Sequence, residues 1–176
     1  VLSEARRLDE AVYEAITQTP TPSLDEGMRR LTHAADDSRL WLACAVILGS
    51  ARGSSGRDAA VRGLASVALS SAVANLVLKP LTRRRRPDSS RLVAARRARM
   101  PDSSSFPSGH SASAFAFATG VGSVLPGEAI PIRTLAALVA YSRVHTGVHH
   151  PADVIAGALL GTTLAQLTCR AFDRRR

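Results

Sequence analysis

Aromatic residues make up only 4% of this 176-residue chain. Lysine is scarcer still: of 23 basic side chains, all but Lys79 are arginine. The two cysteines, Cys44 and Cys169, each lie inside an apolar run and form no metal-ligand pattern, so both are expected to be small core residues. No internal repeat is present. Residues 1–20 carry charges throughout and hold no apolar h-region, so no cleavable signal peptide is expected there. Sustained apolar–polar alternation is missing, which argues against strands. Carboxylates are not clustered as a Mg²⁺ site would need, so no cofactor or metal is expected.

What is present is positive charge. The net charge is +9 and the pI about 11.2, which calls for acidic partners: phosphates, anionic lipids or nucleic acid. Nucleic acid gains little support, because the aromatics that stack bases are missing. Residues 3–18 and 23–35 read as two polar, amphipathic helices separated by Thr19-Pro20-Thr21-Pro22. Then follow five apolar helical runs, at 40–51, 63–78, 107–125, 130–141 and 154–169, with Arg52–Arg57 read as a short loop. Most fall short of the roughly 20 residues of a membrane span, and mean hydropathy is only +0.04. Yet they are rich in Gly, Ala and Ser, which suits close helix packing in lipid. The expected fold is all-α: amphipathic helices over 1–38 and, over 39–172, a multi-helix membrane bundle in preference to a soluble all-α domain.

Three polar clusters interrupt the apolar runs. The first is Lys79-Pro80-Leu81-Thr82-Arg83-Arg84-Arg85-Arg86-Pro87. Pro80 disfavours helical geometry at Lys79, so Lys79 and Arg86 are not placed on one helical face, though both can reach one anion. Arg83, Arg84 and Arg85 read as a solvated or lipid-headgroup patch. The second is Phe106-Pro107-Ser108-Gly109-His110, at the start of a helix whose free amides and dipole suit an anion. Ser108 adds a hydroxyl, Gly109 allows close backbone approach, and His110 is a potential acid. The third runs from Ser142 to Asp153 and holds Arg143, His145, His149 and His150. His149 and Asp153 are four apart, and a histidine whose second ring nitrogen is held by a carboxylate can act as nucleophile or base. Each cluster alone also fits a plain helix cap or polar turn. Together they supply cations (Lys79, Arg86, Arg143), neutral donors (Ser108, Gly109), two histidines and one carboxylate, which is what phosphoryl transfer through a phosphohistidine needs.

The pattern K-x₆-R-P, P-S-G-H and S-R-x₅-H-x₃-D resembles the three-part signature of the type-2 phosphatidic acid phosphatases, a superfamily shared with vanadium haloperoxidases and bacterial acid phosphatases. Every fixed position matches: Lys79, Arg86, Pro87; Pro107, Ser108, Gly109, His110; Ser142, Arg143, His149, Asp153. Three motifs in series are far more specific than one. The resemblance implies that His149 is the nucleophile and Asp153 its orienter. His110 would protonate the leaving group and then activate water, while Lys79, Arg86, Ser108, Gly109 and Arg143 cradle the phosphate. His145 and His150 fall outside the pattern and are expected to be pocket lining or surface. The implied activity is that of a metal-independent membrane lipid-phosphate phosphatase acting on a phosphomonoester or diphosphate of a lipid: phosphatidic acid, phosphatidylglycerol phosphate, or prenyl phosphates or diphosphates. Its partners would be the lipid phosphate and membrane lipids, not nucleic acid. A vanadate-dependent haloperoxidase, which uses the same cradle, and a non-enzymatic basic membrane or nucleic-acid binding module stay open.

Orientation pulls two ways. With five spans the three motifs share one membrane face, which would carry 15 basic residues against 8 on the other. The positive-inside rule puts that face in the cytoplasm. The chain is also similar to actinobacterial proteins in which a diacylglycerol kinase-like domain follows the last helix and needs cytoplasmic ATP. That similarity places the site outside the cytoplasm, and this is the expectation adopted.

Overall fold

A computed structural model describes residues 2–90 and 92–175; Arg91 and Arg176, both counted in the charge balance, lie outside the described residues. The described chain has no strand and seven helices, with Gly53–Thr82 counted as one. The polar helices are α1 (Leu2–Gln18) and α2 (Pro22–Ala34), and a 3-10 turn at Asp36–Ser38 leads into α3 (Arg39–Ala51). Then come α4 (Gly53–Thr82), α5 (Gly109–Gly122), α6 (Pro126–His145) and α7 (Pro151–Asp173).

Two features of α4 depart from the sequence expectation. Residues 52–57 are not a loop: α4 starts at Gly53, whose φ of 58° makes the sharp turn from α3. The charge it buries at Arg62 is tolerated because it is paired. Arg62 is buried, donates to Asp173 at 2.7 Å and to Asp58 at 3.4 Å, and lies 5.5 Å from the Phe172 ring. Lys79, moreover, is helical despite Pro80, with φ −61° and ψ −44°. Val73–Leu78 form a widened π-type turn just before it. The wider turn relieves the clash between a proline ring and the carbonyl four residues back. The helix stops at Thr82, and Arg83 turns the chain away with φ 47°.

The bundle is built around α5, which packs against α4, α6 and α7. Small side chains let α5 be buried on almost every side, from Ser111 to Val121, with Phe117 stacked 5.5 Å from Trp41 as its one large anchor. On the α7 side the backbones nearly touch. A Cβ at Gly157 would lie 2.4 Å from the Ser108 carbonyl oxygen, and one at Gly161 would lie 2.1 Å from that of Ala112. Large apolar residues, by contrast, sit outside: Val46, Ile47, Leu76, Ile130, Ile155 and Leu159 are each at least 60% exposed. A perimeter of this kind suits lipid contact. Among the described residues, Gly53–Thr82 and Pro151–Asp173 are long and apolar enough to cross a membrane. Cys169 is buried as expected, and Cys44 is half-buried.

The α5–α7 contact leads to a stability prediction. Gly161→Val forces backbone apart and should cost about 3 kcal/mol or more, a drop in Tm on the order of 10 °C for a chain of this size. Gly127→Ala, where nothing lies within 4 Å, should change little. Thermal unfolding in detergent checks this, and equal effects of the two substitutions would contradict the packing described.

Candidate active site

The end of α4, the start of α5 and the α6–α7 turn meet at one end of the bundle, so the three sequence clusters converge. Asp153 is the buried carboxylate at their centre. It is wholly buried in the first turn of α7. Its Oδ1 accepts from Arg84 Nη1 at 2.7 Å. Its Oδ2 accepts from the His150 backbone N–H at 3.0 Å and from the Ser105 hydroxyl. Arg84 also reaches Asp9 of α1 at 2.5 Å, and Asp9 in turn accepts from the Ala152 N–H at 2.8 Å.

His149 sits beside this carboxylate, 2% exposed, in the turn between α6 and α7. Its Nδ1 lies 3.6 Å from Asp153 Oδ2 and 3.5 Å from Ser105 Oγ, so the hydroxyl is wedged between ring and carboxylate. Arg86 Nη1 lies 3.3 Å from Nε2. A guanidinium can only donate, so Nε2 bears the lone pair and Nδ1 the proton. Burial drives the His149 pKa down to about 3; Arg143 and Arg86 push the same way, while Asp153 opposes them. A neutral ring with its lone pair on Nε2 is the form that can attack phosphorus.

Lys79, Arg86 and Arg143 surround the same space, each within electrostatic reach of the other two. Lys79 Nζ donates to Asn75 at 2.7 Å, 3.6 Å from where a Cβ on Gly109 would lie. Arg86 is fixed by the carbonyls of Val148, Ser103 and Ser104. Arg143 is buried, donates to Thr32 of α2 at 2.5 Å, and leaves its Nε without a partner. Three cations, one of them with a buried donor that no protein group satisfies, form a pocket suited to an anion. A cavity of about 590 Å³, lined by Lys79, Arg86, Ser103 and Ser104, opens onto it. A larger cavity of about 1370 Å³ lies between α1 and residues 82–96. Arg86 lines both spaces, Lys79 only the smaller, and Arg143, His110 and His149 lie behind them, lining neither.

Every residue expected at the site from sequence lies in this region. Ser108 is the buried N-cap of α5; its hydroxyl accepts from Ser111, and its N–H donates to the Asp153 carbonyl at 2.9 Å. His110, one residue into α5, is held by Asp36 at 2.9 Å. Arg83 and Arg85 are exposed, as a solvated patch should be, but Arg84 is not part of that patch: it is the ion-pair partner of Asp153. His145 is not surface. It is fully buried and bonded at 3.0 Å to Asp25, which also accepts from Arg96 and Thr21. Ser105, Asp36, Thr32 and Asp9 escape the motif reading because three of them come from α1, α2 and the turn after it, with nothing local to link them to the motifs.

The family model of the PAP2 superfamily matches residues 59–176. A decaprenylphosphoryl-5-phosphoribose phosphatase of Mycobacterium tuberculosis is 34% identical over 157 residues, which cover 89% of this chain and 84% of that protein. The crystal structure of a transmembrane PAP2-type phosphatidylglycerolphosphate phosphatase from Bacillus subtilis aligns with a TM-score of 0.73 at 30% identity, covering 98% of this chain and 87% of that one. Aquifex aeolicus LpxE shares the fold, with a TM-score of 0.71 at 24% identity over 93% of this chain and 95% of that one.

The burial of His149 sets a titration test. Its ring should remain neutral through the whole neutral range and take a proton only near pH 3. An assigned His149 resonance that titrates near the ordinary histidine value in the anion-free protein would contradict the arrangement.

Proposed function

The chain belongs to the PAP2 superfamily and is a membrane lipid-phosphate phosphatase, and we propose that it works through a phosphohistidine formed on His149. The observation that carries this mechanism is a buried His149 whose Nε2 meets Arg86 at 3.3 Å, beside Arg143 with its unsatisfied buried donor and with Lys79 in electrostatic reach of both arginines. In the proposed cycle the phosphate of the lipid lies among Lys79, Arg86, Arg143 and the α5 N-terminus, with Ser108 and Gly109 as donors. Their charge offsets that on the three equatorial oxygens as the transition state forms. His149 Nε2 bonds to phosphorus as the ester P–O bond breaks, and His110 gives its proton to the departing oxygen. Asp153, with Ser105 between, holds Nδ1–H and balances the charge that the ring acquires. Water then attacks phosphorus, His110 takes its proton, and the N–P bond breaks to release phosphate.

The proposed substrate is a phosphomonoester at a lipid headgroup, the group shared by a phosphoribosyl lipid and phosphatidylglycerol phosphate, which the named relatives process. The proposal divides the chain into amphipathic helices over 1–38 and a catalytic bundle over 39–172. It has α3 to α7 cross the membrane, with the site on the extracytoplasmic face. The apolar perimeter supports the crossing, and the location of all three motifs at one end of the bundle supports a site on one face. No part of the mechanism calls on nucleic acid or a metal.

Phosphate release from a short-chain lipid phosphate tests the reading. Release should survive EDTA and be blocked by vanadate, which mimics five-coordinate phosphorus. Arg86→Ala should cost ~100-fold or more through loss of transition-state charge. Arg84→Ala, which leaves Asp153 without its ion pair, should cost at least ~10-fold, and Arg83→Ala little. Strict Mg²⁺ dependence, or equal losses along the arginine run, would count against it.

A further inference from the structure

Asp36 lies outside all three motifs and before residue 59, where the family match begins. Its carboxylate nevertheless meets the ring of His110: Oδ1 lies 2.9 Å from Nε2, across 74 residues of sequence. Its other oxygen, Oδ2, faces His33 Nδ1 at 3.2 Å on the outer side. The backbone is bent sharply to bring it there, since Asp37 and Ser38, the next two residues, have φ values of 53° and 60°. Non-glycine residues rarely take that conformation, and two in succession are held only where the surroundings impose them. We infer that Asp36 is a positioning residue for the leaving-group acid, fixing the His110 ring and balancing its proton as Asp153 does for His149.

The inference rests on the phosphatase reading above and adds a residue to it. The charged groups that face His110 are Lys79 from α4, Arg143 from α6 and Asp36 from the turn after α2, with His33 behind Asp36. The two cations oppose a protonated ring, and the one carboxylate offsets them. An ionised carboxylate only accepts, so Nε2–H is committed to Asp36 and the proton that moves is the one on Nδ1. When His149 Nε2 bonds to phosphorus and the ester P–O bond breaks, that Nδ1 proton passes to the departing alkoxide oxygen. In the second half the same nitrogen takes a proton from water as its oxygen bonds phosphorus and the N–P bond breaks. Throughout, Nε2–H stays on Asp36. The site then holds two histidine–carboxylate pairs, one at the nucleophile with Ser105 between and one at the acid in direct contact. The second carboxylate comes from the N-terminal segment rather than from a motif. The Asp36 pKa is held down to about 2, chiefly by this hydrogen bond, so the carboxylate is ionised wherever the reaction runs.

The test uses the full chain in detergent and two substrates that differ in need of an acid: a short-chain lipid phosphate, which leaves as an alkoxide, and p-nitrophenyl phosphate, which leaves without protonation. Asp36→Asn should lower kcat on the lipid phosphate by about 10- to 100-fold, a share of what general acid catalysis contributes. On the aryl phosphate the burst of p-nitrophenol, which precedes the step where His110 acts as base, should slow under about threefold, which also shows that the variant is folded. The basic limb of the pH profile for the lipid phosphate should move to lower pH, because the His110 proton is held less firmly. Asp36→Glu should recover part of the loss, and Asp37→Asn, at an exposed neighbour paired with Arg39, should have no effect. Equal losses on both substrates would make Asp36 merely structural and overturn the inference. An unchanged rate would do the same, as would a faster one, which would mark Asp36 as an anion mimic that blocks the cradle. If wild type released phosphate from neither substrate, the phosphatase reading would fail and the inference with it; an active wild type with an indifferent Asp36→Asn sinks the inference alone.

Discussion

Burying the charge of Asp153 is the constraint on which the rest of the site depends. A carboxylate removed from water carries a desolvation cost of several kcal/mol that must be offset by close donors. Here Arg84, the Ser105 hydroxyl and the His150 N–H offset it, and each comes from a different stretch of chain. Satisfying one carboxylate therefore pins the segment after α4, the loop before α5 and the start of α7 to one another. His149, four residues before Asp153, is placed by the same knot. Because Arg84 also bonds Asp9, the first helix is drawn in as well.

The N-terminal helices then form a second polar layer over the site. Arg96, itself buried, donates to the carbonyls of Ile16, Thr17 and Thr19 and to Thr21, closing the α1–α2 connection around one guanidinium. It shares Asp25 with His145. Burial pushes Asp25 upward, but the hydrogen bonds from Arg96, Thr21 and His145 outweigh it and hold the carboxyl below its ordinary value. Such a group stabilises the fold above the unfolded carboxyl pKa and stops doing so as pH falls through its own. Thr32 on Arg143 and Asp36 on His110 complete the layer. Below it the bundle has the opposite chemistry, small residues inside and large apolar ones outside, as befits helices that pack closely and face lipid.

The motifs and the helical pattern were legible in the sequence for different reasons. Residues such as Ser108, His110, Arg143 and His149 lie in short polar islands between apolar runs, and their spacing alone suggested a shared anion. The all-α architecture followed from periodicity. What escaped was non-local. A run of four arginines gives no sign that Arg84 turns inward to Asp153 while Arg83 and Arg85 face out. Nor does the polar N-terminal segment announce that Asp25 and Asp36 end on histidines more than 70 positions away. The start of α4 escaped because Arg62 looks exposed until Asp173, over 100 residues on, is seen to meet it. Pro80 misled for a local reason, as the widened turn at Val73–Leu78 has no distinct sequence signal.

The central claim is covalent chemistry at His149, and trapping the intermediate tests it most directly. Wild-type protein turning over a lipid phosphate labelled with ³²P would be quenched in base, where a phosphorus–nitrogen bond on histidine survives, then digested and mapped by mass spectrometry. The account predicts one base-stable phosphate on the peptide that carries His149, chased away when unlabelled substrate is added before the quench. No label during active turnover, or label on His110, His150 or a carboxylate instead, would contradict it.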